Sequence, residues 1–213
     1  MLRDFVSNEW FTILIVVCLL VLAVAKLTYS KRFNEYVGVI GNSKYLKIYG
    51  RDQKFIDQFD ALLFINLIIT FSIFSLLCYS TLIEELSFDI LLFLKVVFAI
   101  GSVLLIKVLL ERLLGSLFDI DEVMDVYVFQ KTNYRNYVGL ILLPINVILI
   151  YGVQPSPMMI YIIVGLLIVV LTSGFFTTFK SHQKLFLSNL FYFILYLCAL
   201  EIGPYIILYK ALT

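Results

Sequence analysis

Apolar residues run along this 213-residue chain in six long blocks separated by shorter polar stretches. A helix needs about 20 apolar residues to cross the hydrocarbon core of a bilayer. Residues 10–29, 59–81, 88–110, 136–152, 158–179 and 186–209 meet or approach that length, and the pattern predicts six spans. The fourth is the shortest. Asn136 bounds it on one side and the turn GVQPSP, with Pro155 and Pro157, on the other. Proline stops a helix because it lacks an N–H and clashes with the preceding turn. No stretch alternates polar and apolar residues with a period of two, which argues against a β-barrel. The expected fold is an all-α integral membrane protein, a single domain built as a bundle of six transmembrane helices.

Two polar stretches are longer than simple turns. Residues 30–58 carry NSKYLKIYGRDQKF, in which Lys44, Lys47, Arg51 and Lys54 alternate with Tyr45, Leu46, Ile48 and Tyr49. A basic, aromatic and amphipathic stretch suits the headgroup layer of an anionic leaflet, so membrane lipid rather than nucleic acid is the expected partner. Residues 115–136 read GSLFDIDEVMDVYVFQKTNYRN, with Ile120, Val123, Met124 and Tyr127 at helical spacing opposite Asp121, Glu122 and Asp125. That pattern predicts a short interfacial helix whose acidic face suits the basic first loop.

Composition agrees with this layout. Hydrophobic residues make up 62% of the chain, charged ones 15%, and the mean hydropathy is +1.01. Such values mark membrane proteins, where soluble domains are about a quarter charged. The net charge of +1 says little, but its distribution sets the orientation. Thirteen of the sixteen basic residues fall at the inner ends of spans or in the first, third and fifth loops. Arg3 and Lys210 lie on the other side, where the second loop is acidic (Glu84, Glu85, Asp89). Basic loops stay in the cytoplasm, so both termini are expected on the outer face. The first span contains Ala23-Val24-Ala25, which resembles a signal-peptidase site, yet Asp4 and Glu9 precede it while Lys26, Lys31 and Arg32 follow. A secretory signal has the opposite polarity, so this segment reads as a retained span.

Candidate chemistry is sparse. Asp119, Asp121, Glu122 and Asp125 form an acidic group of the kind that holds magnesium against a diphosphate in membrane phosphotransferases. Those sites pair two clusters, and this chain has one, so Asp121 and Asp125 are weak metal candidates beside a solvated face. His182, the only histidine, stands in FKSHQK without a nucleophile or carboxylate to complete a catalytic set. Phosphate-cradling loops, dinucleotide fingerprints and zinc spacings are missing. Cys18, Cys78 and Cys198 all sit in apolar runs, where thiols act as small hydrophobes. Neither a catalytic residue nor a cofactor is expected.

Polar groups inside the spans are more informative. Lys95 lies about 10 Å below the outer start of the third span, at 1.5 Å per residue. By the same rise, Glu201 lies about 12 Å and Asn146 about 8 Å below the outer ends of the sixth and fourth spans. A lone charge at mid-bilayer costs on the order of 3 kcal/mol, so a Lys95–Glu201 pair with Asn146 beside it is the expected arrangement. It would serve a proton or solute path, a partner subunit, or the bundle itself, while snorkelling of Lys95 is a further route. Pro204 frees the carbonyl of Leu200 next to Glu201. Ala199 and Gly203 allow close helix approach, and Asn66 in the second span is expected to bond across helices. The halves of the chain do not repeat, which weakens an inverted-repeat transporter.

WFTILIVVCLLVLAVAKLTYSKRFNEY, LLFINLIITFSIF and NYVGLILLPINVILIY resemble a family of multi-pass inner-membrane proteins from Bacteroidota that is known as a domain of unknown function. The resemblance runs over most of the chain through apolar segments with few polar anchors. It implies the inner (cytoplasmic) membrane of a Gram-negative cell and supplies no activity. The leading expectation is a non-enzymatic subunit or accessory of a larger envelope complex, with secretion or motility machinery as places to look. The alternatives are a small proton-coupled transporter or channel component using Lys95 and Glu201, and a lipid-modifying enzyme using the acidic cluster at 119–125.

Overall fold

The structure, a computed structural model, describes residues 9–39, 44–49, 57–83, 89–118, 120–153 and 155–181. All regular structure among them is helical: α1 (Glu9–Thr28), α2 (Ser30–Val37), α3 (Lys44–Tyr49), α4 (Gln58–Leu82), α5 (Ile90–Leu117), α6 (Asp121–Val147) with a π turn (Ile148–Gly152) at its end, and α7 (Pro157–Ser181). Five segments are long and apolar enough to cross a membrane: Glu9–Thr28, Gln58–Leu82, Ile90–Leu117, Met124–Gly152 and Pro157–Gly174. The sixth expected span, 186–209, lies outside the described residues.

Polar caps fix several helix starts. Asp57 accepts from the Phe59 N–H at 3.3 Å and opens α4. Asp89 accepts from the Leu91 N–H at 3.0 Å and opens α5. Ser156 precedes α7, its Oγ accepting from Met159 N–H at 3.4 Å, and Pro157 takes the first helical position. In each case the oxygen satisfies an N–H that the helix itself leaves unpaired, and proline at the first position loses no bond it would otherwise make. The prolines that end the fourth apolar block thus also start the fifth.

The stretch around 115–136 behaves differently from expectation. Instead of a separate interfacial helix, residues 121–147 form one helix that continues without a break into the fourth apolar block. Ile120, Met124 and Tyr127 are buried, as their spacing requires, while Asp121 and Asp125 are exposed. Burial of Gln130, Asn133 and Asn136 keeps the helix intact where polarity suggests a loop, because neighbouring helices cover those side chains. An amphipathic helix does occur earlier. In α2, Tyr36 is buried while Lys31 and Asn34 are exposed.

Helices α4 and α6 form the centre. Eight polar or charged residues are buried among those described, three on α4 (Asn66, Thr70, Ser72), four on α6 (Gln130, Asn133, Asn136, Asn146) and Glu111 on α5. A β-carbon on Gly139 would lie 2.6 Å from the Leu67 Cα, so the α4 and α6 backbones touch there. Small residues allow such approach, which suits packing in lipid, where apolar surface alone gives little drive to associate. Two apolar cores flank this contact. One gathers Ala25, Tyr36, Tyr45, Phe59, Leu63 and Phe129, and the other Phe74, Val138, Leu142, Leu149, Ile160 and Leu167.

Candidate functional site

The densest polar arrangement surrounds Arg32. Its Nη1 donates to Asp57 Oδ2, its Nη2 to Asp60 Oδ2 at 3.2 Å, and its Nε to the Tyr45 hydroxyl at 3.1 Å. The guanidinium carbon lies 4.6 Å from the Phe59 ring centre and 4.9 Å from that of Tyr49. A planar fork of donors on two carboxylates, faced by aromatic rings, is a role lysine cannot fill. Burial disfavours the charge on Arg32, but Tyr45, Asp57 and Asp60 more than offset it and hold the group above the usual arginine range. Two hydroxyls then clamp this end to its neighbours: Tyr36 Oη donates to the Asn133 carbonyl at 2.9 Å, and Tyr137 Oη to the Val37 carbonyl at 3.0 Å. Burial pushes both Tyr36 and Tyr45 above the ordinary phenol value.

A second charged group ties α5 to α6. Lys131 Nζ donates to Glu111 Oε1 at 2.6 Å, and Glu111 is 1% exposed. Arg112 approaches Asp125 at 3.8 Å. Beside both groups lies a cavity of about 410 Å³, where α4 begins, α5 ends and α6 passes through its first half. Its lining includes Asp57 and Asp60, Arg112 and Arg135, Asn133, and an apolar wall containing Phe64 and Leu109. Asn133 donates through Nδ2 to the Phe129 carbonyl at 2.9 Å, and its Oδ1 is buried without a hydrogen-bond partner, as is Oδ1 of Asp60.

The expected site residues are dispersed. Asn146 is 1% exposed and donates through Nδ2 to the Thr70 carbonyl at 2.8 Å, within the α4–α6 contact. Lys95 is exposed on α5 and makes no hydrogen bond or ion pair among the described residues. The Asn146 Oδ1 has no hydrogen-bond partner, so the structure does not join these two residues. Asn66 is fully buried on α4, and neither polar atom of its amide has a partner. Glu201, Ala199, Gly203, Pro204, His182, Cys198, Arg51, Lys54 and Asp119 lie outside the described residues, as do the side chains of Lys44, Lys47 and Glu122. From the basic stretch, Tyr45 and Leu46 pack into the protein core rather than outward, while Ile48 is 45% exposed. Asp121 and Asp125 are exposed, and no three potential metal ligands gather among the described residues.

Sequence reasoning missed the Arg32 arrangement and the Glu111–Lys131 pair. The signal for the first was present in DQFD, residues 57–60, where a capping aspartate and a second acid begin an apolar helix. The signal for the second was the adjacent pair Glu111-Arg112, placed within the apolar run that α5 extends to Leu117.

No curated protein and no solved structure matches the chain. The DUF4271 domain, described as a domain of unknown function, matches residues 11–212. A helical bundle with five apolar segments of spanning length is therefore the described architecture of a chain that belongs to the DUF4271 family.

Proposed function

We propose that this chain is a non-enzymatic subunit or accessory of a larger assembly in the inner membrane of a Gram-negative cell, its basic loops cytoplasmic and its termini periplasmic. The observation that carries the reading is Lys95. It lies five residues inside the start of α5, about 8 Å along the helix axis. It stands between Leu94 and Phe98, which are 53% and 77% exposed. A cation on an apolar flank at that depth is costly in lipid, and a carboxylate from a partner subunit, or Glu201 of this chain, would offset the penalty. Non-polar flanks interrupted by one ionisable group are a common basis for partner recognition between membrane helices.

A photo-crosslinking side chain at Phe98, introduced in cells and followed by purification in mild detergent, tests the reading. The expected product is a discrete adduct with a second membrane protein, weakened by Lys95→Met. If the chain is recovered uncrosslinked and alone, the subunit role is wrong. Lys95→Met combined with Glu201→Gln separates partners: restored stability in the isolated chain identifies the internal pair instead.

A further inference from the structure

The cavity between α4, α5 and α6 differs from the exposed flank of α5 in that it carries charges of both signs at one end of the bundle. Two cations line it from α5 and α6, Arg112 and Arg135, and two carboxylates from the start of α4, Asp57 and Asp60. Arg32 uses the Oδ2 atoms of both carboxylates, and Asp57 spends Oδ1 on the Phe59 N–H. Asp60 Oδ1 is left buried without a donor. Asn133 repeats the situation, because its amide nitrogen is committed to the Phe129 carbonyl and its Oδ1 faces no donor. Two buried acceptors without donors are expensive, each by about 1–3 kcal/mol, and a ligand that satisfied both would carry hydrogen-bond donors.

We propose that this cavity binds the headgroup of an aminophospholipid, one that carries a primary ammonium beside its phosphodiester. The ammonium offers three donors to Asp60 Oδ1 and Asn133 Oδ1, and the phosphodiester sits against the guanidinium groups of Arg135 and Arg112, the geometry that arginine favours for phosphate. The lining is balanced in charge, two against two, which suits a zwitterion better than an anion. Leu105 and Leu109 form part of the wall and are each 52% exposed on the flank of α5, so acyl chains have an apolar exit to the bilayer. The volume of about 410 Å³ accommodates a headgroup and the first carbons of its chains, with the remainder left in lipid. A trimethylated headgroup has the same charge but no N–H, and a glycerol headgroup lacks the cation.

Native mass spectrometry on the full chain in detergent, with phosphatidylethanolamine, phosphatidylcholine, phosphatidylglycerol or water-soluble O-phosphoethanolamine added singly, tests the assignment. Phosphatidylethanolamine is expected to be retained about tenfold more tightly than either other lipid, the effect of one or two charge-assisted hydrogen bonds. Asn133→Leu is expected to remove that preference, and Arg135→Gln to weaken retention of all three lipids alike. Equal retention of the three lipids, or a preference for phosphatidylglycerol, overturns the proposal. Retention of O-phosphoethanolamine as tight as that of the lipid overturns the lipid source and leaves a soluble ligand. If either variant does not fold, the headgroup series on the wild-type chain still decides. A lost crosslink at Phe98 has no bearing on this outcome, and the two readings fail separately.

Discussion

Helices α5 and α6 are neighbours of nearly equal length, 28 and 27 residues, yet they occupy opposite situations. The spanning part of α5 is the more apolar of the two, and only 11% of it is buried. That of α6 is the least apolar of the five candidate spans, and 39% of it is buried. In water the order would be reversed. In a bilayer apolar side chains lose nothing by facing lipid, whereas Gln130, Asn133, Asn136 and Asn146 gain by facing protein. Helix α4 makes the same point from the other side. It is as apolar as α5, but Asn66, Thr70 and Ser72 give it a polar stripe, and it is buried to the same 39% as α6. Polar content, rather than apolar content, therefore sorts the centre of this bundle from its rim.

The comparison can be broken most severely at the α4–α6 contact. Gly139→Leu places a side chain where even a β-carbon would meet the Leu67 backbone. The expected loss is about 3 kcal/mol or more, read as a failure to recover folded protein from mild detergent. Gly165→Ala on α7 meets nothing within 4 Å and is the control, expected neutral or slightly stabilising. Next comes the pair that joins the two helices. Lys131→Met strands the buried Glu111 carboxylate and should cost about 3 kcal/mol in unfolding titrations in mixed micelles. Adding Glu111→Gln should recover most of it. An additive double mutant would show that the pair is not coupled.

A smaller effect sharpens the same contrast. Asn146→Leu removes the bond to the Thr70 carbonyl and should cost about 1 kcal/mol. Leu113→Ala on the exposed flank of α5 should stay within about 0.5 kcal/mol. If Leu113→Ala proves the more damaging, polar burial does not order this bundle. The smallest effect shows only at alkaline pH. Tyr36 and Tyr45 have raised folded-state values, chiefly through burial, so folding favours the neutral phenol. The stabilisation is complete below about pH 10, the unfolded tyrosine value, and is lost as pH rises through the folded ones. Phenolate from Tyr36 and Tyr45 appearing only with unfolding is the expected observation, read by comparing the alkaline absorbance titration with that of Tyr36→Phe and Tyr45→Phe. Titration of these two near pH 10 in the folded chain would contradict it.

The sequence made the long apolar helices visible because lipid imposes a length requirement that short polar punctuation reveals. Helices α1 and α4 fall within a residue of their expected limits. Helix α5 runs seven residues beyond expectation, past Glu111 and Arg112, because those charges find partners on α6 rather than water. The first part of α6 was hidden for the same reason, since a hydropathy pattern cannot distinguish an asparagine in a loop from one covered by a neighbouring helix. In the sequence Arg32 is one of several basic residues that set orientation and the polarity of the first span. Its partners Asp57 and Asp60 lie 25 and 28 residues away, a separation that no local periodicity encodes. The Lys95 and Asn146 depths were legible, but their azimuths around the helix axes were not, and azimuth decides contact.

Continuity of α6 has a mechanical consequence. From Asp121 to Gly152 the backbone forms one rod of 27 residues plus a 5-residue π turn, roughly 45 Å long. The hydrocarbon core is about 30 Å thick, so the rod outreaches it even when tilted. Its middle is gripped at Asn133 and Tyr137, by the bonds to Tyr36 and to the Val37 carbonyl, and its far end by the 2.5 Å contact between Thr12 and Tyr151. Torque applied at that middle grip travels through a stiff helix to the Tyr151 end. The compliance is concentrated at Pro144 and the π turn, where the regular hydrogen-bond ladder is interrupted. The rod is thus a lever whose elastic element sits at one end.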